Sequence, residues 1–178
     1  MRTVFWVGFW TFLADQASKY LVVHTLNLRE LGRIDVLPPL LNLRMAWNYG
    51  INFGLFAENS ELTRWVLIAV ALVISGAVLW WTHHEESGLA GQIAAGLLVG
   101  GALGNIVDRL LYGAVADFLN MSCCGLNNPY AFNIADIAVF AGAAGLVLFS
   151  GGTDGSHGKN GQTKPVSSDT AAEKKNAS

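Results

Sequence analysis

Charge is scarce in this chain. Asp, Glu, Lys and Arg make up 13% of its 178 residues, about half the share in an ordinary soluble domain. The net charge is −2, so there is no basic surface for a nucleic-acid backbone. Cysteine is almost absent. Cys123 and Cys124 are adjacent, cannot frame a disulfide scaffold, and match no zinc spacing; a bond between neighbours would be strained. No HExxH, GxSxG or phosphate-cradling glycine loop occurs, which leaves zinc proteolysis, serine hydrolysis and nucleotide chemistry without their residues. His24, His83, His84 and His157 fall at or beyond the ends of the apolar segments. Ser75 therefore has no histidine partner at its depth, and His83-His84-Glu85-Glu86 reads as a solvated loop.

What the chain has is apolar length. Hydrophobic residues make up 52% and fall in four blocks, residues 4–23, 62–82, 89–112 and 132–149. Each approaches the ~20 residues that a helix needs to cross a bilayer, where only helices or closed barrels satisfy the backbone. Residues 4–14 resemble the apolar core of a signal peptide, but no small-x-small cleavage site follows and apolar character resumes after Lys19, so a retained helix is expected. Trp6, Trp65, Trp80 and Trp81 stand near block ends, as interfacial tryptophans do. Gly96, Gly100 and Gly104 recur at four-residue spacing, and residues 141–145 are all Ala or Gly; both patterns let helix backbones approach closely.

Between the first two blocks, Leu41, Leu43, Met45 and Trp47 alternate with Asn42, Arg44, Ala46 and Asn48, and Ile51, Phe53 and Leu55 continue the alternation. Period two means half-buried strands. The expected architecture is an all-α membrane bundle of four transmembrane helices in residues 1–150, capped by a small antiparallel sheet within residues 26–59. Residues 151–178 hold no aromatic residue and are expected to be a disordered tail. Their lysines, at 159, 164, 174 and 175, place both termini in the cytoplasm. Arg29, Arg33 and Arg44 on the opposite side count against that assignment.

The few charges that interrupt apolar blocks carry the functional reading, because ionisable residues at membrane depth are costly and are commonly functional. Asp15 and Lys19 are four apart on one helix face and can form a structural ion pair. Asn105, Asp108, Arg109 and Tyr112 make a polar stripe at the end of the third block. Asp117 lies just past that block, and Asp136 lies one turn into the fourth, with Asn133 three residues before it. If the chain exits and re-enters on one side, Asp117 and Asp136 sit at the same depth. Two close carboxylates in a poorly solvated site share a proton, and such a pair can activate water and protonate a leaving amine. The plainer alternative is that Asp117 caps a chain exit and Asp136 opens a helix. A proton relay in a small proton-coupled transporter is a further alternative, although no internal repeat accompanies it.

Four motifs in order carry a resemblance over residues 11–149. Asp15-Gln16-Ala17-Ser18-Lys19 is similar to D-Q-x-x-K. Asn48-Tyr49-Gly50-Ile51-Asn52-Phe53-Gly54 is similar to N-x-G-A-A-F-G. Gly100-Gly101-Ala102-Leu103-Gly104-Asn105-Ile106-Val107-Asp108-Arg109 is followed by Gly113 and by Val115-Ala116-Asp117-Phe118. Phe132-Asn133-Ile134-Ala135-Asp136 closes the series. In these the chain resembles bacterial lipoprotein signal peptidase, or signal peptidase II. The resemblance implies a multi-pass aspartic endopeptidase of the inner membrane that cuts diacylglyceryl-modified prolipoproteins just before the lipidated cysteine. Asp117 and Asp136 match the catalytic pair. Asn48, Gly50, Asn105, Asp108, Arg109 and Asn133 match positions that bind substrate or brace the pair, and Asp15 and Lys19 match a structural motif. It also implies an active site near the periplasmic face. Membrane lipids and prolipoproteins are the expected partners, with no nucleic acid, cofactor or metal, and a monomer suffices because one chain holds every site residue. Ile51 and Asn52 replace two alanines of the family pattern, and Cys123-Cys124 lies in a loop where the pattern requires no cysteine.

Overall fold

A computed structural model describes residues 1–50, 60–85, 87–122 and 128–149. The motif residues Ile51 to Gly54, the further strand expected around Phe53 and Leu55, Cys123-Cys124 and the tail lie outside the described residues.

Helix α1 (Arg2–Tyr20) runs through a π-helical turn (Leu21–Thr25) to the short α2 (Leu28–Leu31). Strands β1 (Arg33–Leu37) and β2 (Leu41–Asn48) form a hairpin, followed by α3 (Ser60–His84), α4 (Leu89–Tyr112), β3 (Val115–Met121) and α5 (Ile134–Phe149). Helix α4 is the hub, touching α1, α3 and α5. Its glycines admit the two neighbours that bring site residues: a Cβ on Gly100 would run into the Gly8 carbonyl of α1, and one on Gly101 into the Ala135 carbonyl of α5. Backbone contact of this kind is what small residues at four-residue spacing permit.

Two described helices are long and apolar enough to cross a membrane, Glu61–His84 and Leu89–Tyr112. Helix α5 is apolar but has 16 residues, and α1 carries Asp15 and Lys19 in its C-terminal part. The bundle turns large apolar side chains outward: Val73 of α3 is 71% exposed, and Phe140 and Val147 of α5 are 78% and 79% exposed. Apolar surface on that scale calls for an apolar surrounding.

The sheet is antiparallel in the order β1-β2-β3. Its third strand lies beyond the residues 26–59 in which the sequence places the sheet, and it contains Asp117, expected just past the third apolar block. Val115, Ala116, Asp117, Phe118 and Asn120 are all buried, so β3 has no solvent face and hence no two-residue alternation by which to recognise it. Apolar side chains of the π turn and α2, Val22 and Leu28, pack with Leu43 and Phe118 into a small core. On the far edge of β3, Phe132 pairs with Leu119; its N–H donates to the Leu119 carbonyl at 3.0 Å, and the Leu119 N–H returns a bond at 2.8 Å. That bridge anchors the chain one residue before Asn133, the residue that precedes α5.

Candidate active site

Asp117 sits in mid-strand on β3, 3% exposed. Its two carboxylate oxygens accept from two amides, Asn48 Nδ2 at 3.0 Å and Asn133 Nδ2 at 2.7 Å. Each amide is oriented by a backbone N–H on its other end. Asn48 Oδ1 accepts from the Gly50 N–H at 2.8 Å, closing a local turn, and Gly50 takes φ +81°, which glycine tolerates best. Asn133 Oδ1 accepts from the Asp136 N–H at 2.9 Å. A backbone N–H only donates, so both side chains turn their NH2 groups to Asp117. Burial pushes the Asp117 carboxyl from 3.8 up to about 7, the neighbouring Asp136 charge adds to this, and the two amide donors oppose it.

Strand register decides whether Asn48 reaches this acid. Leu43 pairs with Leu119, but Ala46 rather than Met45 pairs with Asp117, and Asn48 pairs with Val115. The slip between Leu43 and Ala46 inserts one residue, as a β-bulge does. Unbroken alternation would have put Asn48 on the sheet face opposite Asp117.

Asp136 is half-buried in the first turn of α5. Its Oδ2 accepts from the Asn133 N–H at 3.3 Å while Asn133 Oδ1 accepts from its own N–H, a reciprocal capping arrangement. Its Oδ1 accepts from Asn105 Nδ2 at 2.9 Å. Asn105 Oδ1 in turn accepts from Asn133 Nδ2 at 3.3 Å. Asp136 therefore opens its helix and also joins the amide network around Asp117.

Behind this network lies a second buried cluster. Lys19 Nζ stands 2.8 Å from Asp15 Oδ2 and 2.8 Å from Asp108 Oδ2, and reaches Asn105 Oδ1 at 3.4 Å. Asp15 Oδ1 accepts from the Ala135 N–H at 2.9 Å, and Asp108 Oδ2 from the Ala116 N–H at 3.1 Å. Those backbone groups are the chain neighbours of Asp136 and Asp117. One ammonium thus ties together the elements that carry both acids. Gln16, quoted in the first motif but assigned no role of its own, donates to Asp15 Oδ2 at 3.1 Å and to Asp108 Oδ1 at 3.2 Å. Its place one residue from Asp15 was the only sequence signal for it. Gly104 is required here, because a Cβ would collide with Asp15 Oδ2.

The polar stripe of α4 divides among three destinations. Asn105 serves Asp136, Asp108 serves Lys19, and Tyr112 packs on Trp47, ring centroids 5.6 Å apart. Arg109 Nη1 donates to the Asn105 carbonyl at 3.3 Å, and Asp136, Asp117 and Asp108 are its charged neighbours. Among the described residues, no three His, Cys, Asp or Glu side chains gather as metal ligands would. The arrangement joins two acids from separate elements through one set of amides, with a guanidinium as charged neighbour of both.

Comparison with known proteins agrees with this fold and these motifs. The family described as "Signal peptidase (SPase) II" matches residues 7–151. A lipoprotein signal peptidase of Methylobacterium sp. (strain 4-46) is 40% identical, over 78% of this chain and 82% of its own length. That of Alteromonas mediterranea is 37% identical, over 93% and 91%. A solved structure titled "Bacterial membrane enzyme structure by the in meso method at 2.3 A resolution" superposes with a TM-score of 0.70 at 28% identity, covering 94% of this chain and 96% of that one. In sequence and in fold, this chain belongs to the signal peptidase II family.

Proposed function

We propose that the chain is a membrane-embedded aspartic endopeptidase that removes the signal peptide of diacylglyceryl-modified prolipoproteins, cutting just before the lipidated cysteine. Family membership supports a lipoprotein signal peptide as substrate; the catalytic type rests on one observation. Asp117 and Asp136, from different elements, share Asn133 as a hydrogen-bond partner.

In the working state one carboxyl of the pair holds a proton and the other is ionised. The ionised carboxylate takes a proton from water as the water oxygen attacks the scissile carbonyl carbon. The protonated carboxyl gives its proton to the carbonyl oxygen. As the tetrahedral intermediate collapses, the C–N bond breaks, the amine leaves with a proton from the pair, and one hydroxyl of the intermediate returns its proton to the pair as the new C=O forms. Arg109 and the amides of Asn48 and Asn105 present fixed donors beside the acids, where developing negative charge is stabilised without reorganisation.

Helices α1, α3, α4 and α5 all cross the inner membrane in this reading, with both termini cytoplasmic and the acids near the periplasmic surface. The outward apolar side chains and the position of the sheet at the ends of α4 and α5 support it. One chain supplies every site residue, so a monomer suffices. The test is cleavage of a diacylated precursor by Asp117→Asn and Asp136→Asn, each purified in detergent and checked for folding. Both are expected to be inactive; full activity in either removes that residue from catalysis.

A further inference from the structure

We propose that the β1–β2 hairpin is a phospholipid-binding device, with a phosphate site between Arg33 and Arg44 and an apolar tip that enters the bilayer surface. This inference rests on the membrane reading of the helices and not on the peptidase mechanism.

The arginines stand directly opposite each other in the β1–β2 register. Like charges facing across strands are destabilising on their own, and an anion between them reverses the sign. Arg33 is ion-paired through Nε to Asp35 Oδ1 at 2.6 Å, and its other guanidinium N–H groups bond to no described residue, so Arg44 is the cation of the two without an anionic partner. Arg44 is exposed, with no hydrogen bond or ion pair to any described residue. Both line a cleft of about 380 Å³, to which no Asp or Glu among the described residues contributes and which Asn42, Asn120, Ser122 and Asn128 also line. Fork-shaped guanidinium donors suit a phosphate.

The occupant is a lipid rather than a free ion because of what borders the cleft. Val36, Leu37 and Leu40 at the hairpin turn are more than half exposed, as is Met121, which pairs with Leu41. Solvated arginines beside exposed aliphatic side chains match the two layers of a bilayer surface, phosphate above acyl chain. The sheet stands where such a surface lies: β3 begins three residues after α4 ends, and α5 starts beside the Leu119–Phe132 bridge.

The test uses the full chain carrying Asp117→Asn, so that loss of peptidase activity has no bearing on the result. Binding of a short-chain phosphatidylglycerol to the detergent-solubilised protein is followed by native mass spectrometry. Arg44→Gln is expected to weaken one binding event about fivefold to tenfold, the effect of one cation at an anionic lipid surface. Leu37→Asn with Leu40→Asn is expected to weaken the same event, and millimolar inorganic phosphate is expected not to displace the lipid. Unchanged lipid binding in Arg44→Gln and in Arg33→Gln overturns the proposal. So does complete displacement by inorganic phosphate, which would make the cleft a free-anion site. Loss of binding in the arginine variants but not in the leucine variants overturns the role of the tip.

Discussion

Two groups of buried acids lie side by side in this molecule and are held in opposite ways. Asp15 and Asp108 each have the Lys19 ammonium at 2.8 Å. Asp117 has two neutral amides and is pushed up to about 7, chiefly by burial. An acid in contact with a buried cation is held in place by it and can clamp backbone N–H groups, as these two do at Ala135 and Ala116. An acid held by amides keeps its geometry and remains able to exchange a proton near neutral pH. The first group gives the second its position, and they meet at Asn105, which accepts from Lys19 and donates to Asp136.

The sharpest test of that division is the pair of acid-to-amide replacements. Asp117→Asn and Asp136→Asn are expected to lower cleavage by at least about 10³-fold, in the range that general acid–base groups supply, while both proteins stay folded. The comparison breaks if either variant cleaves normally, or if the Lys19-linked acids prove the more sensitive in chemistry than in stability.

Lys19→Met addresses the other group. It leaves Asp15 and Asp108 buried without their cation, at an expected cost of about 3–5 kcal/mol, read as a lower unfolding midpoint in detergent. Adding Asp108→Asn should restore part of the loss, because one of the stranded charges is then gone.

A smaller effect is expected from Gly104→Ala. The new methyl group meets Asp15 Oδ2, and overpacking of this kind costs about 1–3 kcal/mol. Ala102→Gly, on the same helix and without that contact, is the reference for helix propensity.

The subtlest expectation concerns pH. Asp117 has a higher pKa folded than unfolded, so the folded state binds its proton more tightly. Its contribution to stability is fully present below about pH 4 and is lost as pH rises through about 7, the window set by the values 3.8 and about 7. Asp117→Asn should remove that slope from a pH series of unfolding midpoints. Asn48 donates to the carboxylate and favours its ionised form, so Asn48→Ala should raise the pKa further. The alkaline limb of kcat/KM, expected near pH 7 in the parent, should move to higher pH; a downward shift would contradict the assigned amide orientation.

Much of this was legible in the sequence because so few charges interrupt the apolar blocks. The four-residue spacing of Asp15 and Lys19 is enough to expect their contact, and the Gly96, Gly100 and Gly104 series is enough to expect close helix approach. Strand β3 was not legible, since a strand buried on both faces loses the alternation that marks one. The role of Asp108 was open for a different reason. Consecutive residues on a helix diverge by ~100°, so Asp108 and Arg109 had to find separate partners, and spacing along one helix does not name a partner on another.

The sequence by itself determined the family, the apolar character of the helices and the identity of the acids, because these depend on composition and on spacing within single segments. The tertiary structure alone decided what those acids touch. An inserted residue in β2 turns Asn48 to the side of Asp117, and the Phe132 bridge to β3 sets Asn133 between Asp117 and Asp136. The Lys19 cluster fixes both backbones from behind. Register and long-range hydrogen bonding arise between segments, and with so little charge in the chain, contacts between segments separate the acids tied to Lys19 from the acids tied to the asparagine amides.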